Sequence, residues 1–180
     1  VAFKTICAVE GDGEEELLDE FSDLVAIGTL ADVVPLKKEN RALVYEGLKR
    51  INSGSRQGIE ALKNAAGVSG KKLGAGGISF TLAPRINAAG RMGSAMTAFR
   101  LLLSDDENDA AELAKTIDTY NKERHSVENE ITKQAIAEIE SRPDEKYASV
   151  IVVSGENFIA ATFTVSLPTR PSNVSARTVG

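Results

Sequence analysis

The chain has 180 residues, 42% of them hydrophobic and none tryptophan, which is enough for one medium domain or two small ones around an aliphatic core. A formal net charge of −5 argues against a uniformly basic face that coats duplex DNA, but it leaves room for a local basic groove. The single cysteine, Cys7, excludes an internal disulfide, and with only one histidine, His125, a Cys/His zinc site is excluded as well. No apolar run is long enough to span a bilayer, so we expect no membrane partner.

The first third of the chain is predicted to be mainly helical. Residues 1–9 form an apolar element, and a short acidic helix is predicted over 12–21. Apolar positions at helical spacing predict a second helix over 24–34. Ser22 and Asp23 precede this second helix, and either side chain is a candidate N-cap for it.

Two amphipathic helices are predicted next, over 39–52 and 56–66. Gly54 lies just past the end of the first, and Ser55 is a candidate cap for the second. The segment 69–77 is rich in glycine and carries lysines, so it is predicted to be a loop or linker. It lacks the Gly-Lys-Ser/Thr ending of a nucleotide-binding P-loop, which excludes that motif.

The segment Leu82–Gly93 reads Leu-Ala-Pro-Arg-Ile-Asn-Ala-Ala-Gly-Arg-Met-Gly and has little apolar surface to bury. We interpret it as a weakly structured segment that brings Arg85, Asn87 and Arg91 close to an anion, because arginine suits bidentate contact with phosphate. The pattern is equally compatible with a loop whose arginines pair with carboxylates of the same fold.

A helix is predicted over 94–103, followed by a long helix over 107–141. At 1.5 Å per residue the long helix would span roughly 50 Å, which is typical of a helix that connects two lobes. Residues 148–153 are rich in β-branched side chains and predict a buried strand, and a second strand is predicted over 158–167.

Four segments carry a family resemblance. Asp23–Leu36 resembles the fourth motif of the RecJ family of single-strand-specific exonucleases, in the DHH phosphoesterase superfamily, and Pro84–Arg91 resembles its Pro-Arg-Ile-Asn-Ala-Ala-Gly-Arg signature. Tyr120–Arg124 is similar to a pattern on the family's long inter-domain helix. Ser175–Gly180 resembles the Gly/Ser-Arg-Ser segment of its DHH-associated domain. The resemblance covers most of the chain, over 1–158.

The resemblance implies an α/β fold with two lobes. Residues 1–104 would be the C-terminal part of a DHH domain, rich in helices, and 105–142 the long connecting helix. Residues 143–180 would then be part of a small α/β DHH-associated domain. The Asp-His-His motif and the earlier Asp-bearing motifs of the family are absent from this sequence, so most of the metal ligands would lie outside it.

The function that the resemblance implies is 5′→3′ exonuclease action on single-stranded DNA in repair and recombination, with Mn²⁺ or Mg²⁺ as cofactor. Hard oxygen ligands would position these ions against the phosphate. We expect single-stranded nucleic acid and DNA-repair proteins as partners and a cytoplasmic location. Since the ligand set is incomplete, the isolated chain is expected to be inactive and to hold no metal of its own.

For the metal, the resemblance points to Asp23 as a catalytic ligand, with Asp32 as a weaker candidate. An alternative for Asp23 is an N-cap, and one for Asp32 is a solvent-facing or capping carboxylate near Pro35. The residues expected to contact nucleic acid are Arg85, Asn87, Arg91, Arg124, Ser175, Arg177 and Thr178.

Each nucleic-acid contact also has a structural alternative. Arg85 and Arg91 could be buried scaffolding, and Asn87 could tie a turn through its side chain. Arg124 could pair with Glu128 one helical turn away. Arg177 could belong to a frayed terminus.

Two other functions remain open from the sequence. One is a phosphodiesterase of short oligonucleotides or cyclic dinucleotides within the same superfamily. The other is a non-catalytic scaffold that binds single strands. The long helix and the Arg85/Asn87/Arg91 segment favour the exonuclease, since a long polymer needs an extended channel.

Overall fold

The computed structural model describes residues 1–11, 13–54 and 56–141, together with the backbone of 162–166 and 175–179. The helices in this part of the chain are α1 (Ala2–Glu10), α2 (Glu14–Ala31), α3 (Glu39–Ser53), α4 (Gln57–Ala65), α5 (Ala75–Gly77), a π-helical segment (Ile78–Leu82), α6 (Ala83–Met92), α7 (Ala95–Leu103) and α8 (Glu107–Ser141). Two strands follow, β1 (Thr162–Ser166) and β2 (Ser175–Val179). The described residues are therefore predominantly helical, as the sequence predicted for most of the chain.

The chain divides into two units, Val1–Arg124 and His125–Gly180. The division falls inside α8, which begins in the first unit and ends in the second. The boundaries expected at 104/105 and 142/143, and the α/β class of the whole, remain predictions. None of the described helices is both long enough and apolar enough to cross a membrane.

The core of the first unit is aliphatic, as a chain without tryptophan requires. Its fully buried members come from six helices and the π segment, and they include Ala26, Ile51, Ile59, Leu62, Ile78, Leu82, Leu101, Ala114 and Ile117. The pair α2 and α3 forms the most extensive helix contact in this unit. Gly47 makes that contact close, because a Cβ at this position would overlap the carbonyl oxygen of Ser22.

Helix α2 is one continuous helix, where the sequence analysis predicted two shorter ones. Gly13 precedes its first turn. The first turn contains Glu14, Glu15 and Glu16, whose negative charges interact favourably with the positive end of the helix dipole. Asp12, where the first of the two helices is predicted to begin, lies outside the described residues. Asp23 is not an N-cap but a fully buried side chain in the helix interior. The prediction failed because a buried Asp can be held by a distant cation, which local sequence does not reveal.

The predicted weakly structured segment is also helical. Residues 83–92 form α6, with Pro84 in its first turn, where a missing N–H costs nothing. Ala88 and Ala89 are fully buried, so small side chains allow the helix to approach its neighbours closely. The lack of large apolar residues predicts a lack of structure, whereas in this helix it allows tight packing.

The second unit contains the last turns of α8 and a two-stranded antiparallel sheet. Strand β1 pairs with β2 in the register Thr162 opposite Val179 and Ser166 opposite Ser175. The strand β1 lies within the predicted strand 158–167, whereas the strand predicted over 148–153 lies outside the described residues.

Candidate functional site

Asp23 is held by arginines. Its Oδ2 atom accepts a hydrogen bond of 2.9 Å from Nε of Arg56 and lies 3.6 Å from Nε of Arg50. Its Oδ1 atom accepts from the backbone N–H of Leu24 at 2.7 Å. Arg56 also donates to the carbonyl oxygens of Glu20 and Leu102, at 2.9 and 3.3 Å. The guanidinium group thus ties α2 to the end of α7, with the carboxylate at the centre.

This geometry weighs against Asp23 as a metal ligand. Its side chain is 0% exposed, and a cation that reached Oδ2 would have to displace the Arg56 guanidinium. The structure therefore gives Asp23 a structural role in fixing α2, and the predicted catalytic role would need that pair to break. Removal of one partner from a buried ion pair is strongly destabilising, because it leaves an uncompensated buried charge.

Asp32 lies in a very different environment. It follows the last turn of α2 and is exposed to solvent. Within the described residues, its carboxylate makes no hydrogen bond or ion pair. The next residue, Val33, has φ of 53°, which is a strained conformation for a β-branched side chain. Strain of this kind concentrates at functional sites, so the end of α2 is the stronger candidate for the acidic site.

The described residues do not hold a metal ion by themselves. They contain no group of three or more His, Cys, Asp or Glu side chains placed to bind one cation. A divalent ion needs several oxygen ligands, and Asp32 would contribute one of them. The residues present therefore do not fit a complete Mn²⁺ or Mg²⁺ site.

Arg85, on α6, joins an ion-pair network with two residues of α8. Its Nε atom lies 2.9 Å from Oδ1 of Asp118, and its Nη1 atom donates to the carbonyl oxygen of Thr81 at 2.7 Å. The Nζ atom of Lys122 lies 2.7 Å from the other oxygen of Asp118. Of the two interpretations of the segment, pairing with a carboxylate of the same fold describes Arg85. Its contact with nucleic acid stays a prediction.

Asp118 is held in its ionised form by this network. Burial raises the pKa of its carboxyl, but the hydrogen bonds from Lys122 and Arg85 outweigh burial, so the pKa lies below its ordinary value. A carboxyl with a lowered pKa stabilises the folded state above the pKa of the unfolded chain, about 3.9 for Asp, and loses that contribution as the pH falls through its folded value.

We expect Asp118→Asn to lower the free energy of unfolding by about 1–2 kcal/mol at pH 7, because charged hydrogen bonds are lost. The difference from the unmodified chain should stay constant down to about pH 5 and begin to shrink below about pH 4, where the carboxyl of the unfolded chain takes up a proton; it is lost only as the pH falls through the lowered pKa of the folded carboxyl. Urea unfolding between pH 3 and pH 7 measures it. Asp105→Asn, an exposed carboxylate, is the control and should give no such trend; a difference for Asp118→Asn that does not shrink at all between pH 5 and pH 3 would contradict the assignment.

Asn87 and Arg91 lie on the opposite side of α6 from Arg85. They are separated by four residues, so they share one face of the helix, and both are exposed. Neither makes a hydrogen bond or ion pair within the described residues. Their side chains are therefore available to a ligand, whereas the Arg85 side chain is already engaged.

Two contacts fix the ends of the region from the π segment to Gly93. At its start, Oγ of Ser79 donates to the carbonyl oxygen of Leu30 at 3.2 Å, two residues before Asp32. At its end, Gly93 lies against Tyr120, and a Cβ there would fall 2.5 Å from the ring. Tyr120 itself is partly buried and packs against the hydrophobic core.

The remaining predicted residues are placed as follows. Arg124 is half-buried on α8 and donates from Nη2 to Oδ1 of Asn121 at 3.2 Å. Ser175, Arg177 and Thr178 lie on β2, and Arg177 is opposite Thr164 in the sheet. Their side chains lie outside what the structure describes, so their role as phosphate contacts stays a prediction.

The sequence analysis missed two of the groups that organise this region. Arg56 entered only as the start of a predicted helix, and Asp118 was not singled out. Each pairs with a residue 33 positions away, and a single sequence carries no signal for such a pair. Phe80 was missed as well: it is 85% exposed on the π segment, where a hydrophobic residue would usually be expected to be buried.

The sequence was compared with those of known proteins. No protein-family model matches the chain. The chain is 41% identical over 157 residues to the single-stranded-DNA-specific exonuclease RecJ of Bacillus subtilis, which covers 87% of this chain and 20% of that protein. It is 42% identical over 120 residues to the protein of the same name from Escherichia coli, covering 66% and 21%. The chain spans about a fifth of the length of the curated relatives it matches.

Solved structures agree with the sequences. A crystal structure of RecJ in complex with Mn²⁺ from Thermus thermophilus matches 78% of this chain and 20% of its own, with a TM-score of 0.66 and 38% identity. A structure of exonuclease RecJ bound to manganese matches 67% and 30%, with a TM-score of 0.61 and 43% identity. The fold and the sequence thus lead to the same group, and the chain is a partial member of the RecJ family.

Proposed function

We propose that this chain is a segment of a metal-dependent 5′→3′ exonuclease that hydrolyses phosphodiester bonds in single-stranded DNA. The observation that carries the proposal is the 41% identity over 157 residues with a relative named for that activity. The cofactor would be Mn²⁺ or Mg²⁺, the ions named with the related crystal structures. A role in repair and recombination, with repair proteins as partners, follows from the same resemblance.

Within this segment we assign the metal-facing carboxylate to Asp32. It is exposed at the strained end of α2 and has no ion-pair partner in the part of the chain that the structure describes, whereas Asp23 is buried against Arg56. Carboxylate oxygen is the ligand type that Mn²⁺ and Mg²⁺ prefer. The other ligands would come from residues outside the described part, which is why one carboxylate suffices here.

The exposed face of α6 would contact the strand. Arg91 can donate two hydrogen bonds to one phosphate, and Asn87 can donate or accept on the same face. Contacts of this kind set the position of a nucleic acid without reading its sequence. Arg85 would act through this helix, because its pair with Asp118 fixes the angle at which α6 presents the other two side chains.

A chimaera tests the proposal. The matched 157 residues of the Bacillus subtilis relative are replaced by those of this chain. We expect the chimaera to release nucleotides from 5′-phosphorylated single strands when Mn²⁺ is present, and Asp32→Asn to lower that rate at least tenfold. Asp105→Asn, another exposed carboxylate, is the matched control and should leave the rate unchanged. The 180-residue chain alone should release none.

Two results would contradict the proposal. A chimaera that folds, as judged by circular dichroism, yet acts only on dinucleotides would exclude the exonuclease. Equal rates for the Asp32→Asn chimaera and the unmodified chimaera would remove Asp32 from the metal site.

A further inference from the structure

A second surface, separate from α6, has the composition of a nucleic-acid contact. It begins at a groove of about 530 Å³ beside α3, lined mainly by Leu36, Arg41, Tyr45 and Ala75. Tyr45 is 60% exposed, so most of its side chain is accessible to a ligand. An exposed aromatic ring above a groove is a suitable platform for a flat ligand.

A second concavity lies further along α3. Nζ of Lys49 lies 4.4 Å from the centre of the Tyr45 ring, and Lys49 also lines a cleft of about 610 Å³ together with Lys71 and Lys72. Asn52 holds the loop that carries these two lysines. Its side chain accepts from the N–H of Leu73 at 2.8 Å and donates to the carbonyl of the same residue at 2.9 Å. The loop is thus fixed against α3.

The charge of this surface is opposite to that of the whole chain. Six cationic side chains line the two concavities, against one carboxylate, Glu60, which already pairs with Lys63 at 2.6 Å. Lys49 pairs with Glu46 at 3.0 Å, but both are exposed, and such pairs contribute little. The four other cations have no ion-pair partner within the described residues; they are Lys38, Arg41, Lys71 and Lys72. With a chain charge of −5, their concentration here indicates a polyanionic ligand.

We propose that this surface, named here the α3 strip (Lys38, Arg41, Tyr45, Lys49, Lys71 and Lys72), binds single-stranded nucleic acid, with phosphates on the cations and one base stacked on Tyr45. The choice of a single strand rests on the proposed function and on Tyr45, because a duplex does not offer its base faces. Leu36 follows Asp32 by four residues, so the strip begins on the same loop as the proposed metal carboxylate. A bound strand would run along α3 from that loop.

Charge reversal tests the phosphate contacts. The 180-residue chain is titrated against a fluorescein-labelled dT20 strand in EDTA, and anisotropy is read at several salt concentrations. Lys71→Glu/Lys72→Glu should weaken binding at least tenfold and reduce the slope of log affinity against log salt by about 1.4, since each lost contact contributes about 0.7 on single strands. The matched control, Lys115→Glu/Lys133→Glu on exposed parts of α8, should change affinity less than threefold.

Substitution of the ring tests the stacking. Tyr45→Ala should weaken binding by about five- to hundredfold, and Tyr45→Phe, which keeps the ring, should leave it unchanged. A dT20 strand that carries 5-iodouracil should crosslink to Tyr45 on irradiation, as located by mass spectrometry. A crosslink confined to other residues would overturn the proposal.

The two proposals fail in different ways. If the chain binds dT20 and the strip variants match the controls, the strip is excluded while the proposed function stands. If the chain does not bind dT20, the strip is excluded as well, and the nuclease activity of the chimaera decides the proposed function alone. Equal competition by a duplex of the same length would overturn the stacking on Tyr45.

Discussion

Asp23→Asn is expected to lower the free energy of unfolding by about 3 kcal/mol, because it leaves the Arg56 guanidinium without its buried counter-charge. The carboxylate is fully buried, and Arg56 also donates to the carbonyl oxygens of Glu20 on α2 and Leu102 on α7. Loss of the charge therefore weakens the attachment of two helices together. Urea denaturation at pH 7, followed by circular dichroism, measures the change.

The control for this variant lies on the same helix. Asp19→Asn removes a carboxylate that is 3.4 Å from Arg50 but is 91% exposed, and an exposed pair contributes at most about 0.5 kcal/mol. If Asp23→Asn were as mild as Asp19→Asn, the carboxylate would not be the structural anchor described above. It would then return as a candidate metal ligand.

Gly47→Ala should have an effect of similar size, about 3 kcal/mol of destabilisation, for a steric reason. The new Cβ would overlap the carbonyl oxygen of Ser22 and fall 2.5 Å from Cβ of Ala26, so α3 would have to move away from α2. Backbone atoms cannot turn aside as a flexible side chain can. The shift would also disturb Ile51, which lies in the same interface.

Gly28→Ala on α2 should have the opposite effect on the free energy of unfolding. Nothing lies within 4 Å of a Cβ at this position, and alanine is favoured over glycine in a helix by about 0.5–1 kcal/mol. This variant should therefore be more stable than the unmodified chain, and Gly47→Ala much less stable. Chemical denaturation of the two variants side by side checks both. If both variants lost the same amount of stability, the α2–α3 contact at Gly47 would be looser than the structure shows.

Amphipathic helices were predicted well, because their pattern is local. The long helix was expected over 107–141 and α8 covers that range, while the helix predicted over 39–52 was found as Glu39–Ser53 with Gly54 in a left-handed conformation after it. In these segments the hydrophobic period and the terminal residues point to the same boundaries. No tertiary contact is needed to locate them.

The failures share one cause, which is dependence on a distant partner. The predicted break at Ser22 and Asp23 assumed that a polar side chain caps a helix, but Arg56 compensates the charge in the interior. Residues 83–92 were expected to be weakly structured, but buried alanines and the Arg85–Asp118 pair stabilise a helix there. Neither partner is near in sequence, so the local pattern could not include it.

The candidate site was predicted in part. The segment with Asn87 and Arg91 was identified from sequence, and both side chains are exposed on one face of α6. The sequence favours Asp23 as the metal ligand, whereas burial and the pair with Arg56 favour Asp32, and which of them faces a metal stays a prediction. Burial separates the two carboxylates, and burial is a property of the folded chain.

The π segment Ile78–Leu82 gives this region room for a change of length. A π turn accommodates one residue more than an α-helical turn, so a one-residue deletion there would restore regular winding and leave the following helix in nearly the same orientation. A deletion within α6 has no such reserve, because each residue rotates an α-helix by about 100°, and Asn87 and Arg91 would then be turned relative to the Arg85–Asp118 pair. Relatives that keep this pair should therefore tolerate a single deletion in the π segment far better than one in α6.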